Sequence, residues 1–139
     1  MKPVWSFRRR VVVDGTAGPI RSLRTMVETS LEEQNVPEEA VRSVVLAFSE
    51  ALDNAWEHGT EGAGEVDVRL RCTPRYVFIS LTDSGSQQLP PGEITHVSED
   101  SERGRGLMLM KKLMDVVHIQ PLTTGGTKVA MLRLSKEGN

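Results

Sequence analysis

A chain of 139 residues is long enough to bury one hydrophobic core, so we expect a single domain over residues 1–139. Its net charge of −2 argues against a nucleic-acid-binding protein, which needs a surplus of Lys and Arg. The one cysteine excludes an internal disulfide, and no apolar run reaches the roughly 18 residues of a membrane span. Because no signal peptide is recognisable either, we expect a cytoplasmic protein with neither membrane nor nucleic-acid partners.

Hydrophobic periodicity and turn residues predict nine segments in chain order. They are a strand, two helices, two strands, a long loop, a helix and two strands, over residues 4–13, 19–35, 37–58, 64–72, 76–82, 83–105, 106–114, 116–120 and 127–134. Pro19 and Pro37 stand where helices can begin, and Gly59 is a good helix stop. This order predicts an α+β fold, a two-layer sandwich with three helices on one face of a mixed, mainly antiparallel sheet.

Two groups of arginines leave two interpretations open. Arg8, Arg9 and Arg10 are either the polar end of the first strand or a patch for a partner. Arg21 and Arg24, three apart on the first helix, fit either a solvated face or a surface for an acidic partner.

The second helix carries a row of polar residues opposite its apolar face. Glu50, Asn54 and His58 are spaced four apart, and Ala47 and Ala51 beside them leave room for a ligand. A carboxylate such as Glu50 can accept a proton, and the neutral oxygen of Asn54 suits a hard cation such as Mg²⁺. Taken alone, the row equally fits an acidic helix surface, and His58 fits a residue that compensates the helix dipole.

Two glycine motifs follow in the second half of the chain. Asp83-Ser84-Gly85 comes directly after an apolar strand, and an ionised Asp there can accept a hydrogen bond from an exocyclic amine such as that of adenine. Gly104-Arg105-Gly106-Leu107 opens a predicted helix, whose free backbone N–H groups suit phosphate. Thr127, after Gly126, could help to hold the base. Each motif alone also fits an ordinary turn.

Taken together and in this order, the segments resemble the GHKL superfamily of Bergerat-fold ATPases and kinases. Glu50-x-x-x-Asn54-x-x-x-His58 resembles its N-box, while Asp83-x-Gly85 and Gly104-x-Gly106-Leu107 resemble its two glycine boxes. The resemblance spans about residues 46–134. Within the superfamily, the segments 49–59 and 113–115 are similar to the anti-sigma-factor serine kinases.

The resemblance implies a function and a set of roles. Glu50 would be the general base or orient the attacking hydroxyl, Asn54 would hold Mg²⁺ against ATP, and Asp83 with Thr127 would bind adenine. Residues 84–103 would form the ATP lid, and Gly104, Arg105 and Gly106 would contact phosphates. Members of the family phosphorylate a serine or threonine of an anti-sigma-factor antagonist, and in the alternative state they bind a sigma factor, usually as homodimers.

The sequence departs from the superfamily at Gln87, where many members carry a second glycine. This departure puts the mobility of the lid in question. A non-catalytic, ATP-binding partner-switching module is the alternative function. The ATP-binding domain of a sensor histidine kinase fits less well, because the chain has no helix pair bearing a phospho-accepting histidine.

Overall fold

A computed structural model describes residues 3–14, 18–56, 63–85, 92–93, 102–123 and 125–135 of the chain. Within these ranges the chain forms six strands and three helices. In chain order they are β1 (Trp5–Asp14), α1 (Gly18–Glu33), α2 (Glu38–Asn54), β2 (Ala63–Thr73), β3 (Tyr76–Asp83), β4 (Gly92–Glu93), α3 (Glu102–Leu113), β5 (Val116–Pro121) and β6 (Thr127–Leu134).

The strands form one sheet in the order β1-β2-β3-β6-β5-β4, and every pairing among the described strands is antiparallel. Side chains alternate between its two faces. On one face Val68, Leu81 and Val129 stand side by side in register and are buried. The core therefore lies on this face of the sheet.

The three helices cover that face. α1 contacts β1, α2 contacts β3 and β6, and α3 contacts β5. α1 buries Leu23, Val27 and Leu31, which recur at helical spacing, and the most deeply buried large side chain of α2 is Phe48. The predicted α+β two-layer sandwich is confirmed, and its sheet is antiparallel throughout the described strands rather than mixed.

A left-handed residue ends α1 and sets its angle to α2. Asn35 has a φ of 61°, its N–H donates to the Glu32 carbonyl at 3.1 Å, and the Val36 N–H donates to the Leu31 carbonyl at 3.1 Å. These two bonds form a Schellman motif, which satisfies carbonyls that the helix end leaves free. Asn tolerates this backbone better than most residues, which explains why the helix stops where the sequence predicted.

Two predictions for the second half of the chain were wrong. α3 begins at Glu102 rather than Gly106, and β4 occupies part of the segment predicted as an irregular loop. The α-helix α2 extends to Asn54 and the chain stays helical through Trp56, while the predicted end at His58 and Gly59 lies outside the described residues. β4 pairs only at Gly92 and Glu93, and two residues are too few to give a sequence period.

The arginine run lies inside β1 rather than at its end, with Arg8 and Arg10 on the outer face of the sheet and Arg9 on the helix-covered face, where it lies 3.7 Å from Met26 Sδ of α1. Arg8 donates to the Asp67 carboxylate on β2 at 2.7 Å, and Arg10 lies 3.8 Å from Glu65. The Arg8 guanidinium, chiefly through this hydrogen bond, holds the pKa of Asp67 below its ordinary value of 3.8.

The described helices include none long and apolar enough to cross a membrane.

Candidate nucleotide-binding site

The row of polar residues on α2 faces α3, not solvent. Glu50 is half-buried, and a Cβ placed on Gly106 of α3 would lie 2.8 Å from Glu50 Oε2 and 3.9 Å from Asn54 Nδ2. A side chain at this position would require the Glu50 carboxylate to move. The structure therefore brings Glu50, Asn54 and Gly106 together at the contact between the two helices.

Asn54 is the one member of this cluster with an unmet hydrogen-bonding group. Its side chain is 9% exposed, and Nδ2 has no hydrogen-bond partner among the described residues. A buried amide without a partner costs about 1–3 kcal/mol, so such groups are usually satisfied. The arrangement fits a ligand that brings its own oxygens, such as a phosphate with its metal-bound water.

The small residues beside the polar row do not leave the room that the sequence suggested. Ala47 and Ala51 are 0% and 2% exposed and belong to the core. Small residues allow close packing as well as ligand access, and the sequence alone does not distinguish the two.

A second cluster forms where β3 ends and β6 begins. Asp83, the last residue of β3, is 6% exposed, and its Oδ1 accepts a hydrogen bond from the Gly85 N–H at 3.0 Å. Lys128 pairs with Thr82, so in the same register Thr127 lies beside Asp83. Both Asp83 and Thr127 are buried on the helix-covered side of the sheet. The predicted adenine-binding pair is thus adjacent, with an acceptor and a hydroxyl together.

Two glycines close this second cluster, and only one of them was singled out in the sequence. Gly126 has a φ of 83°, and a Cβ there would collide with the Asp83 carbonyl oxygen. Gly125 has a φ of 95°, and its Cβ would lie 3.5 Å from the Gly85 carbonyl oxygen. At Gly126 a side chain would block the close approach of two backbones, whereas at Gly125 the contact is ordinary and the positive φ alone disfavours a side chain. The pair Gly125-Gly126 before a strand is the signal that would have found Gly125.

The second glycine motif lies within α3 rather than before it. The first N–H groups of a helix have no partner inside that helix, and in α3 those of residues 102–104 are among them. Gly104 therefore presents a free N–H group of the kind that binds phosphate, whereas the Arg105 N–H stands at the position of the first bond inside the helix, and the Arg105 side chain is exposed. Gly106 comes two residues too late for this, and Leu107 is buried in the core. The prediction that Gly106 offers a free donor was wrong, because the helix starts earlier.

Several other predicted features lie outside the described residues. They are His58, Gln87 and all of the lid apart from Ser84, Gly85, β4 and the first residues of α3. Ser84 is placed by two bonds to β2, since its N–H donates to the Glu65 carbonyl at 3.1 Å and its hydroxyl accepts from the Glu65 N–H at 3.0 Å.

Two cavities of the described residues extend away from the two clusters. A depression of about 420 Å³ borders Asp83 and Gly125 of the second cluster, but Arg10, Asp67 and Thr82, which also line it, belong to the outer face of the sheet. A larger groove of about 710 Å³ lies between α1 and α2. No group of three or more His, Cys, Asp or Glu residues within the described ranges could hold a metal ion.

An antiparallel sheet covered on one face by three helices, with an acidic residue at a strand end and an Asn on the central helix, defines a Bergerat-type fold. The chain belongs to the histidine kinase-like ATPase domain family, whose profile matches residues 15–133.

Within this family, the chain is similar in sequence to serine-protein kinases named RsbW. The serine-protein kinase RsbW of Bacillus velezensis is 35% identical over 104 residues, which are 67% of this chain and 64% of that protein. RsbW of Bacillus subtilis is 33% identical over 104 residues with the same coverage. The chain thus spans 64% of the length of the curated relatives it matches. The resemblance to the anti-sigma-factor kinases inferred from the motifs is confirmed.

A solved structure supports the fold. The crystal structure of the RsbU and RsbW domains of Rv1364c from Mycobacterium tuberculosis matches with a TM-score of 0.66 and 23% identity. The match covers 95% of this chain and 34% of that one. At this identity the likeness concerns the fold alone.

Proposed function

We propose that this chain is a single ATP-binding domain that acts as a serine/threonine protein kinase. Its substrate would be an anti-sigma-factor antagonist, and in the alternative state it would sequester a sigma factor or a similar partner in the cytoplasm. The observation that carries the proposal is the close approach of Glu50 and Asn54 to Gly106 of α3. The buried side-chain amide of Asn54 has no hydrogen-bond partner among the described residues. The identity to serine-protein kinases RsbW supports the choice of substrate class.

In the proposed reaction, the phosphate end of ATP lies between α2 and α3. The Gly104 N–H, the exposed Arg105 side chain and the Asn54 amide would hold its oxygens. Mg²⁺ would neutralise charge on the phosphates, with the Asn54 oxygen as one ligand and phosphate oxygens and water as the others. An Asn can serve both purposes, since its amide has an acceptor and a donor end.

The base of ATP would lie at the second cluster. Asp83 would accept a hydrogen bond from the adenine amine, with Thr127 assisting, and Gly85, which has no side chain, would let the flat ring approach the backbone closely. Because both acceptor and hydroxyl are buried, water competes weakly with the base there.

Glu50 would act on the substrate serine. Its carboxylate would take the hydroxyl proton as the serine oxygen forms a bond to the γ-phosphorus, while the bond from that phosphorus to the bridging oxygen breaks and ADP leaves. The half-buried position of Glu50 next to α3 would keep the carboxylate oriented towards the phosphates.

The test uses the whole chain, Mg-ATP and a candidate antagonist protein from the same genome, with phosphate incorporation followed by mass spectrometry. Glu50→Gln should lower the transfer rate about 10²–10⁴-fold, the usual contribution of a general base, and leave ATP affinity within about threefold. Asp83→Asn should weaken ATP binding about 10-fold or more, because the adenine amine loses its charged acceptor. Glu39→Gln is the matched control, since it lies on the same helix with an 89% exposed side chain.

Each outcome of this test is informative. Transfer at the wild-type rate by the Glu50 variant would refute its assignment. ATP binding without any transfer by the wild type would instead favour the non-catalytic partner-switching module.

The proposed homodimer has its own support on the uncovered face of the sheet. Phe78, Leu132 and Val116 stand side by side in register there, on three neighbouring strands. Val116 is 38% exposed and Leu134, at the end of the same face, is 56% exposed. Apolar residues grouped on one face are typical of a surface that another subunit covers.

A further inference from the structure

A groove between α1 and α2 lies away from the proposed nucleotide site. It has a volume of about 710 Å³ and runs between the C-terminal half of α1 and the N-terminal half of α2. None of Glu50, Asn54 and Asp83 lines it. Its size falls in the range of pockets that bind ligands or partner side chains, which is about 300–1,000 Å³.

The floor and mouth of the groove are apolar. Val41 is 6% exposed and belongs to the core, Val45 is half-buried, and Leu46 at the mouth is 52% exposed. These three residues come from the first half of α2, so the apolar strip runs along that helix. An apolar side chain laid along it would remove both Val45 and Leu46 from water.

The rim of the groove is acidic. Glu28 and Glu32 line it from α1, and Glu38 lines it from α2. Arg42 neutralises Glu38 through a 2.7 Å ion pair. Within the described part of the chain, Glu28 and Glu32 have no such partner.

The charges of Glu28 and Glu32 do not stabilise α1 through its helix dipole. The last turn of α1 contains no basic residue, and negative charge near a helix C-terminus opposes the helix dipole. Glu28 and Glu32 are four residues apart, so they stand one above the other, about 6 Å along the helix. They therefore form a row of negative charge along α1, on the same groove as the apolar strip of α2.

We propose that this groove binds an amphipathic, basic helix of a partner protein. An apolar side chain of that helix would pack against Val45 and Leu46, and two Lys or Arg residues four apart would pair with Glu28 and Glu32. The match is geometric as well as electrostatic, because cations at positions i and i+4 of a helix have the same spacing as the two carboxylates. The proposal is independent of the proposed kinase function, since the groove shares no residue with the nucleotide site.

The test is an NMR titration of the whole ¹⁵N-labelled chain with two designed peptides of about 15 residues, long enough to form a helix. One has a leucine face flanked by arginines four apart, and the other has glutamate in place of each arginine. Shifts confined to the second half of α1 and the first half of α2, with the arginine peptide only, are expected. Equal binding of both peptides, or shifts elsewhere, would overturn the proposal.

Variants make the test specific. The double variant Glu28→Lys with Glu32→Lys should bind the arginine peptide at least about 10-fold more weakly than the wild type does. It should bind the glutamate peptide more tightly than the arginine peptide. Glu33→Lys is the control for the single variant Glu32→Lys, because it makes the same charge change in the last turn of the same helix without lining the groove. Circular dichroism and ATP calorimetry on the double variant separate loss of the groove from loss of the fold or of the nucleotide site.

Two outcomes decide against the proposal even if the groove is used. An unchanged peptide preference in the double variant would show that the carboxylates do not select the partner. Concentration-dependent shifts of groove residues without peptide, abolished by Leu46→Ser, would assign the groove to a second copy of the chain.

Discussion

Replacing Gly106 by alanine should separate stability from activity. An added Cβ would lie 2.8 Å from Glu50 Oε2, so the carboxylate must retreat by about 0.6 Å to reach an ordinary contact of 3.4 Å. Moving one flexible side chain off its preferred geometry costs about 0.5–1.5 kcal/mol. Alanine inside a helix is favoured over glycine by about 0.8–1.0 kcal/mol, which offsets most of this cost. We expect the free energy of unfolding to change by less than about 1 kcal/mol.

Activity should fall much further. The displaced carboxylate is the proposed base, and a misplacement near 1 Å can lower a rate about 10²-fold. A shift of about 0.6 Å at Glu50 should therefore reduce phosphoryl transfer roughly 10- to 100-fold. ATP affinity should change less, because the adenine end of the site is untouched.

Urea unfolding, ATP calorimetry and single-turnover transfer to the antagonist measure the three quantities. Gly18→Ala is the matched control: this glycine begins α1, has nothing within 4 Å of an added Cβ, and should alter neither stability nor rate appreciably. A Gly106→Ala protein with the wild-type transfer rate would refute the view that this glycine fixes the Glu50 carboxylate. Destabilisation beyond about 2 kcal/mol would instead show that the helices cannot adjust.

Two further predictions concern the sheet. Leu134→Glu on the uncovered face should convert the proposed homodimer to a monomer in light scattering after size exclusion, whereas an unchanged mass would place the dimer contact elsewhere. Arg8→Gln should destabilise the chain at pH 7. Because Arg8 lowers the pKa of Asp67, the stability from this pair is present above the ordinary value of 3.8 and is lost as the pH falls through the lower folded value. The difference in urea midpoint between wild type and variant should therefore shrink below pH 3.8, and a difference that persists in acid would contradict this assignment.

The sequence predicted the parts of the fold that local pattern determines. The helical spacing of Leu23, Val27 and Leu31 predicted α1, and its end near Asn35 follows from a residue that tolerates a left-handed backbone. The start of α3 was missed because its glycines are poor helix formers, and nothing local shows that Gly106 is needed for a contact with α2.

The same distinction applies to the candidate site. The polar row on α2 and Asp83 at the end of β3 could be recognised from residue types and their spacing, because each lies within one element. Their surroundings were not visible: the burial of Ala47, the positive φ of Gly125 and the unpartnered amide of Asn54 all depend on residues distant in the chain. The groove between α1 and α2 was missed for this reason too.

Glycine suits positions 104 and 106 of the second motif for two different physical reasons. Gly104 lies among the first N–H groups of α3, where a missing side chain would allow the phosphates of the proposed nucleotide to approach the backbone. Gly106 lies two residues further along α3, where its missing side chain allows the helix backbone to approach Glu50. In the proposed site one short motif would therefore both contact the phosphates and position the proposed base, which would tie the position of the carboxylate to the helix that holds the phosphates.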